Sequence, residues 1–183
     1  MKRGKRIKKI GAMELSFGMI FSILLIIIFM ALAFYAIIKV LNTQKFIKVN
    51  TSIKDFQDDI NDMHKNSGGN YDSLGEYSFP KGIDKICFID YNCGVTSGRG
   101  CVRGRGSTEI YSTMGFYSGD GQNMYFYPEK SSVGVDSVTM DNINLDEITK
   151  TTNPYCIDTV DGKLSVTLNR VEGSSLVIIK KAN

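Results

Sequence analysis

The chain has 183 residues, 43% of them hydrophobic, and a formal charge of only +3. Such averages fit an ordinary soluble domain and name no activity, but they hide a segregation. Six of the 22 basic residues (Lys2, Arg3, Lys5, Arg6, Lys8, Lys9) precede any acid; Glu14 follows, and from Lys39 onward the balance is −2. That layout excludes a free cytosolic protein and argues against a nucleic-acid binder.

Leu15 to Ile38 carries no charge at all, and fifteen of its 24 residues are Leu, Ile or Phe. About 20 apolar residues suffice to cross a hydrocarbon core. At roughly 0.3–0.6 kcal/mol per large apolar residue, insertion is favourable by about 5–9 kcal/mol. The basic cluster before the span predicts a cytoplasmic N-terminus and an exterior C-terminal part. Ala31-Leu32-Ala33 fits the small-x-small site of a cleavable secretory signal. Hydrophobicity continues past it to Leu41, however, so cleavage there would leave an apolar new terminus. A retained membrane helix is the expectation.

The residues before the span, Lys8-Lys9-Ile10-Gly11-Ala12-Met13-Glu14-Leu15, run from basic leader to Gly, then Glu, then apolar helix. This resembles the class III signal of type IV pilins. The overall layout also resembles archaeal membrane proteins with a pilin-like helix and a small Cys-containing ectodomain. The resemblance implies a processing peptidase that cuts after Gly11 and makes Ala12 the new N-terminus. It further implies that Glu14 neutralises the amine of a neighbouring subunit, and that the apolar helix becomes the surface of a homo-oligomer or pilin-like filament. Read from the residue alone, Glu14 is a carboxylate flanking a span, favoured by the dipole at a helix N-terminus.

Beyond the span, Phe46, Val49, Ile53, Phe56, Ile60 and Met63 recur at helical spacing, with Lys48, Lys54, Asp55, Asp58, Asp59 and Asp62 between them. No Pro or Gly interrupts the run before Lys65-Asn66-Ser67-Gly68-Gly69. One helix from about Ala12 to His64 would be roughly 80 Å long. Its apolar stripe needs a partner, either a second copy in a coiled coil or the downstream sheet of the same chain, and we expect the latter. Asp55, Asp59 and Asp62 share a face and read as a solvated surface, not a calcium site.

Residues 70–183 alternate short β-prone runs with turn residues. Strands are predicted over Lys85–Asp90, Glu109–Tyr111, Met124–Tyr127, Ser137–Met140, Tyr155–Val160, Lys163–Asn169 and Leu176–Lys180. Asp161-Gly162 reads as a two-residue hairpin turn, and the whole as an antiparallel meander. Cys87, Cys93, Cys101 and Cys156 all fall in this exterior segment, an even number that argues for two disulfides. Of the three pairings, Cys93–Cys101 would close a Gly-rich loop and Cys87–Cys156 would join two strands; this is the preferred set. The spacing is wrong for zinc, with no C-x₂-C and His64 far upstream.

Several motifs invite sharper readings. Arg99, Arg103 and Arg105 lie in a Gly-rich run that reads as an exposed loop, or as an anion-contacting tip. Tyr125-Phe126-Tyr127 reads as a core strand before a sugar platform. Asn142, Asn144 and Asp146 mimic the start of a calcium loop, but Glu147 stands where that loop needs Gly. Asn50-Thr51-Ser52 is a glycosylation sequon. His64 is the sole histidine and sits at the expected helix end, so no Ser-His or Cys-His pair is available to the ectodomain.

The sequence therefore predicts an α+β fold with a long N-terminal helix, transmembrane then amphipathic, packed on a small antiparallel β-domain. The expected divisions are 1–11 basic leader, 12–41 transmembrane helix, 42–66 amphipathic extension and 67–183 disulfide-stabilised β-domain. The expected function is structural, a membrane-anchored surface subunit in contact with lipid and with copies of itself. No cofactor, metal or catalytic residue is expected. The alternative is a monomeric single-pass protein whose exterior domain binds a ligand.

Overall fold

A computed structural model describes residues 17–65, 71–91, 110, 121–171 and 173–182. The chain divides into two compact units, Met1–Leu41 and Asn42–Asn183. Helix α1, Phe17–Lys65, contributes to both. In the first unit its large apolar side chains are exposed on every face, among them Phe21, Ile27, Phe29 and Phe34. This helix is long and apolar enough to span a membrane.

In the second unit the same helix buries Val49, Ser52, Phe56, Ile60 and Met63, with Ile53 half-buried. This is the stripe read from the sequence, with one correction. Phe46 stays exposed; the dry face begins three residues later, at Val49. The partner is the β-domain of the same chain, whose core takes in Phe79, Ile86, Phe88, Phe126, Leu164 and Val166 alongside the helix residues. Phe56 meets the rings of Tyr77 and Phe88 at centroid distances of 4.5 and 6.4 Å. Full burial of each such side chain contributes about 1.5–3 kcal/mol.

The β-domain holds two antiparallel sheets. One has the order β1-β6-β7, built from Tyr71–Ser78, Lys163–Arg170 and Ile178–Lys181. The other has the order β4-β3-β2-β5, from Ser137–Val138, Met124–Tyr127, Lys85–Phe88 and Tyr155–Asp158. A four-residue helix, α2, spans Leu145–Ile148. The α+β architecture is the one the sequence predicted, but three details differ.

First, β1 was not foreseen. Its outward positions include Leu74, and Gly75 stands at a buried position where an apolar side chain would have signalled a strand. It is held by full eight-residue pairing with β6. Second, the single meander is divided. In one sheet β2, β3 and β4 are consecutive neighbours and β5 returns to the far side of β2, while in the other β6 and β7 are consecutive and β1 pairs across to β6. The Asp161-Gly162 turn forms, with both residues at positive φ and reciprocal bonds of 2.9 Å between Val160 and Lys163. The strands then part, β5 pairing with β2 and β6 with β1. Gly162 explains the parting. Its carbonyl accepts the Phe79 N–H at 2.6 Å, and a Cβ there would stand 2.6 Å from the Phe79 oxygen. The turn is thus stitched to the end of β1. Third, Ile110, expected in a strand over Glu109–Tyr111, is helical and buried; its two neighbours lie outside the described residues.

Strand β6 alternates as expected. Leu164, Val166 and Leu168 are buried, and Arg170 continues the inward face. Its guanidinium donates to the carbonyls of Met63 and His64 at 3.2 and 3.5 Å, capping the C-terminus of α1 where a cation suits the dipole. The His64 ring completes that end with a 2.6 Å contact to the Ser175 carbonyl.

Candidate functional site

Within the second unit, α1 and the end of β1 leave a groove of about 630 Å³ between them. The helix supplies Ile47, Lys48, Ser52, Asp55 and Asp59, and the strand supplies Glu76 and Ser78. The two elements are fastened at two points. Ser52 Oγ donates to the Ser78 carbonyl at 2.5 Å, and Tyr77 Oη donates to Asp59 Oδ2 at 2.6 Å. Tyr77 reaches Asp59 because Gly75, two residues earlier, has no side chain; a Cβ there would stand 2.6 Å from the phenol oxygen.

Burial raises the Tyr77 pKa above its ordinary value, and the hydrogen bond and negative charge of Asp59, with the charge of Asp55, act in the same direction. The phenol is therefore a fixed donor at neutral pH. Glu76 is paired with Lys163 at 2.8 Å, and that hydrogen bond, followed by the carboxylate charge, raises the Lys163 pKa. The groove is an acid-rimmed concavity with one exposed apolar residue, Ile47. It offers hydrogen-bond acceptors and negative charge to a cationic or extended polar ligand. Among the described residues no group of three or more His, Cys, Asp or Glu side chains could hold a metal ion.

The sequence placed its candidates elsewhere. Cys87 and Cys156 stand directly opposite in the β2–β5 register and are joined by a disulfide, with Cα atoms 4.0 Å apart. The bridge closes a loop of 69 residues. Around it Ile89, Ile110 and Tyr125 form a second, smaller apolar cluster. Cys93 and Cys101 lie outside the described residues, as do Gly11, Ala12, Glu14 and the three arginines Arg99, Arg103 and Arg105. Asn50 is exposed on α1, its side-chain amide donating to the Phe46 carbonyl at 2.9 Å. The third residue of its sequon, Ser52, is the buried hydroxyl that fastens β1.

Two further motifs find structural duties. Asn144 caps α2 by accepting from the Glu147 N–H at 3.1 Å, and Asn142, at φ 61°, donates to Asn61 on α1 at 2.9 Å. Tyr125 and Phe126 are core residues of β3. The groove residues escaped the sequence reading because Asp55 and Asp59 look like any solvated helix acids. Only the unforeseen strand β1 brings Tyr77 to them. Comparison with known protein families, curated proteins and solved structures finds no match.

Proposed function

We propose that this chain is a membrane-anchored structural subunit, pilin-like or pseudopilin-like, that assembles through its N-terminal helix. One observation carries the reading. The 17–38 part of α1 carries no charge, is apolar around its circumference and is exposed throughout, whereas the part from Val49 onward is dry on one face only. A helix apolar on every side requires apolar surroundings on every side. Lipid supplies them before assembly and neighbouring copies supply them afterwards. Van der Waals packing between helices drives that exchange, since lipid tails are as apolar as the side chains. The basic leader sets the N-terminus inside and the β-domain outside. The arrangement works by packing and performs no chemistry.

The groove between α1 and β1 favours a second reading, a monomeric anchored domain that binds a cationic ligand. The two separate on one measurement. A photo-cross-linking residue at Ile27, within the apolar segment and more than half exposed, is activated in intact cells making the full chain. Assembly through the helix gives adducts between copies, whereas a monomeric anchor gives lipid adducts alone.

A further inference from the structure

The sheet β1-β6-β7 has two edges, and only one of them is covered. Beside β7, the Val177 N–H donates to the Asn142 carbonyl at 2.9 Å, the Asn144 N–H donates to the Val177 carbonyl at 2.8 Å, and the Lys181 N–H reaches Tyr155 Oη at 3.0 Å. The other edge is β1, and the parity of its ladder shows which groups it presents. Phe79 donates to Gly162, so Tyr77, Gly75 and Ser73 bond to β6 in turn. The backbone groups of Asp72, Leu74, Glu76 and Ser78 then face away from β6. The Ala182 N–H bonded to the Ser165 carbonyl, on the opposite side of β6, follows the same alternation. Ser78 spends its carbonyl on Ser52. The outward backbone groups of Leu74 and Glu76 take no partner among the described residues.

This open edge runs into the groove, which Glu76, Tyr77 and Ser78 line from β1. An edge that offers N–H and C=O groups at every second residue is matched by an extended polypeptide, whose own groups recur at that spacing. In such a strand the residue opposite Tyr77 turns its side chain toward α1. The residue opposite Leu74 turns to the outer face, where Leu74 is 74% exposed. Charge selects further. On β1, Glu76 is held by Lys163 and Asp72 by Asn169, so neither is left to choose a ligand. On α1, Asp55 and Asp59 line the groove one turn apart, and neither forms an ion pair among the described residues. Tyr77 gives Asp59 a neutral donor and leaves its charge uncompensated. The groove's one lysine on the helix, Lys48, is two turns from Asp55.

We infer that the groove between α1 and β1 receives an extended peptide segment of a partner protein, added as a strand to the free edge of β1. An apolar residue of that segment covers Leu74, and a single basic side chain meets Asp55 and Asp59. Main-chain bonds to Leu74 and Glu76 give affinity, and the two side-chain contacts give selection. The inference rests on the reading of the groove as a site for a cationic ligand and names the class of that ligand. It holds with or without assembly of the chain through its helix.

The test uses the detergent-extracted full chain and a fluorescent, end-capped heptapeptide of threonine and valine with one central arginine. Fluorescence anisotropy is expected to show binding, and hydrogen exchange to show protection gained at the Leu74 and Glu76 amides. Methylating one alternate set of peptide nitrogens is expected to weaken binding about ten-fold or more, and methylating the other set to leave it. Asp55→Lys, an exposed substitution, is expected to weaken it about three-fold or more. The same variant should prefer a peptide with glutamate in place of the arginine. Absence of binding, indifference to both methylated sets, or no protection on β1 overturns the inference, as does binding indifferent to Asp55→Lys. Agmatine, a guanidinium without a main chain, separates the two failures. Agmatine binding that Asp55→Lys abolishes, with no gain from the peptide, leaves the cationic site standing and removes only the added strand.

Discussion

One helix lives in two ways in this molecule. From Phe17 to Leu41 its apolar side chains surround it and none is buried, while from Val49 to Met63 they form a single stripe sealed against two sheets. The difference shows that hydrophobic content alone says little and that angular distribution says who the neighbour is. A full circumference calls for surroundings on all sides, and a stripe calls for one flat partner. The same contrast divides the energetics. Substitutions on the stripe are expected to act on the folding of the β-domain, whereas substitutions in the apolar segment are expected to act on insertion and, on the proposed reading, on assembly.

The largest effect should come from the stripe. Phe56→Ala removes a fully buried ring that touches Tyr77 and Phe88, and is expected to cost about 3–5 kcal/mol. Urea unfolding of the detergent-extracted chain measures it, and membrane retention should not change. Ile27→Lys should do the reverse. A lysine near the centre of a span costs roughly 2.5–3.5 kcal/mol of insertion, so the membrane-bound fraction falls while the unfolding midpoint of the β-domain holds. If either substitution moves both readouts, the two parts of the helix do not act independently.

Smaller effects sharpen the picture of how β1 is held. Gly162→Ala puts a methyl group against the Phe79 carbonyl at φ 78°. It is expected to lose about 1–3 kcal/mol of stability, seen as a lowered thermal midpoint. Tyr77→Phe removes one hydrogen bond to Asp59, worth about 0.5–1.5 kcal/mol. It also carries a pH signature. The folded-state pKa of Tyr77 is raised by burial and then by Asp59, so its stabilisation is complete below pH 10, the ordinary tyrosine value, and is lost as pH rises above it. Stability of the parent chain should fall more steeply than that of Tyr77→Phe above pH 10, which alkaline denaturation curves compare directly.

The contrast within the helix was legible from residue spacing, because helical periodicity is a local signal. Leu164, Val166 and Leu168 announced β6 for the same reason. Asp161-Gly162 announced its turn but not its consequence, since where two strands go after a turn depends on distant partners. Here those partners are β1 and β2. Strand β1 carries no pattern of its own: Leu74 points outward and Gly75 leaves room for a ring. Its existence is written in the sequence of β6, its partner, and not in itself. The groove inherits that opacity, because Asp59 becomes a fixed acceptor only when Tyr77 is delivered to it. Arg170 reads as one more surface charge, yet its position on the inward face of β6 makes it the cap of α1.

On the proposed reading, cleavage after Gly11 frees the apolar segment to pack against neighbouring copies. The intact mass of the membrane-extracted protein tests this: the expected chain begins at Ala12, having lost the six basic leader residues and with them a side-chain charge of +6. A mature chain that retains Met1 or Lys2 would contradict it.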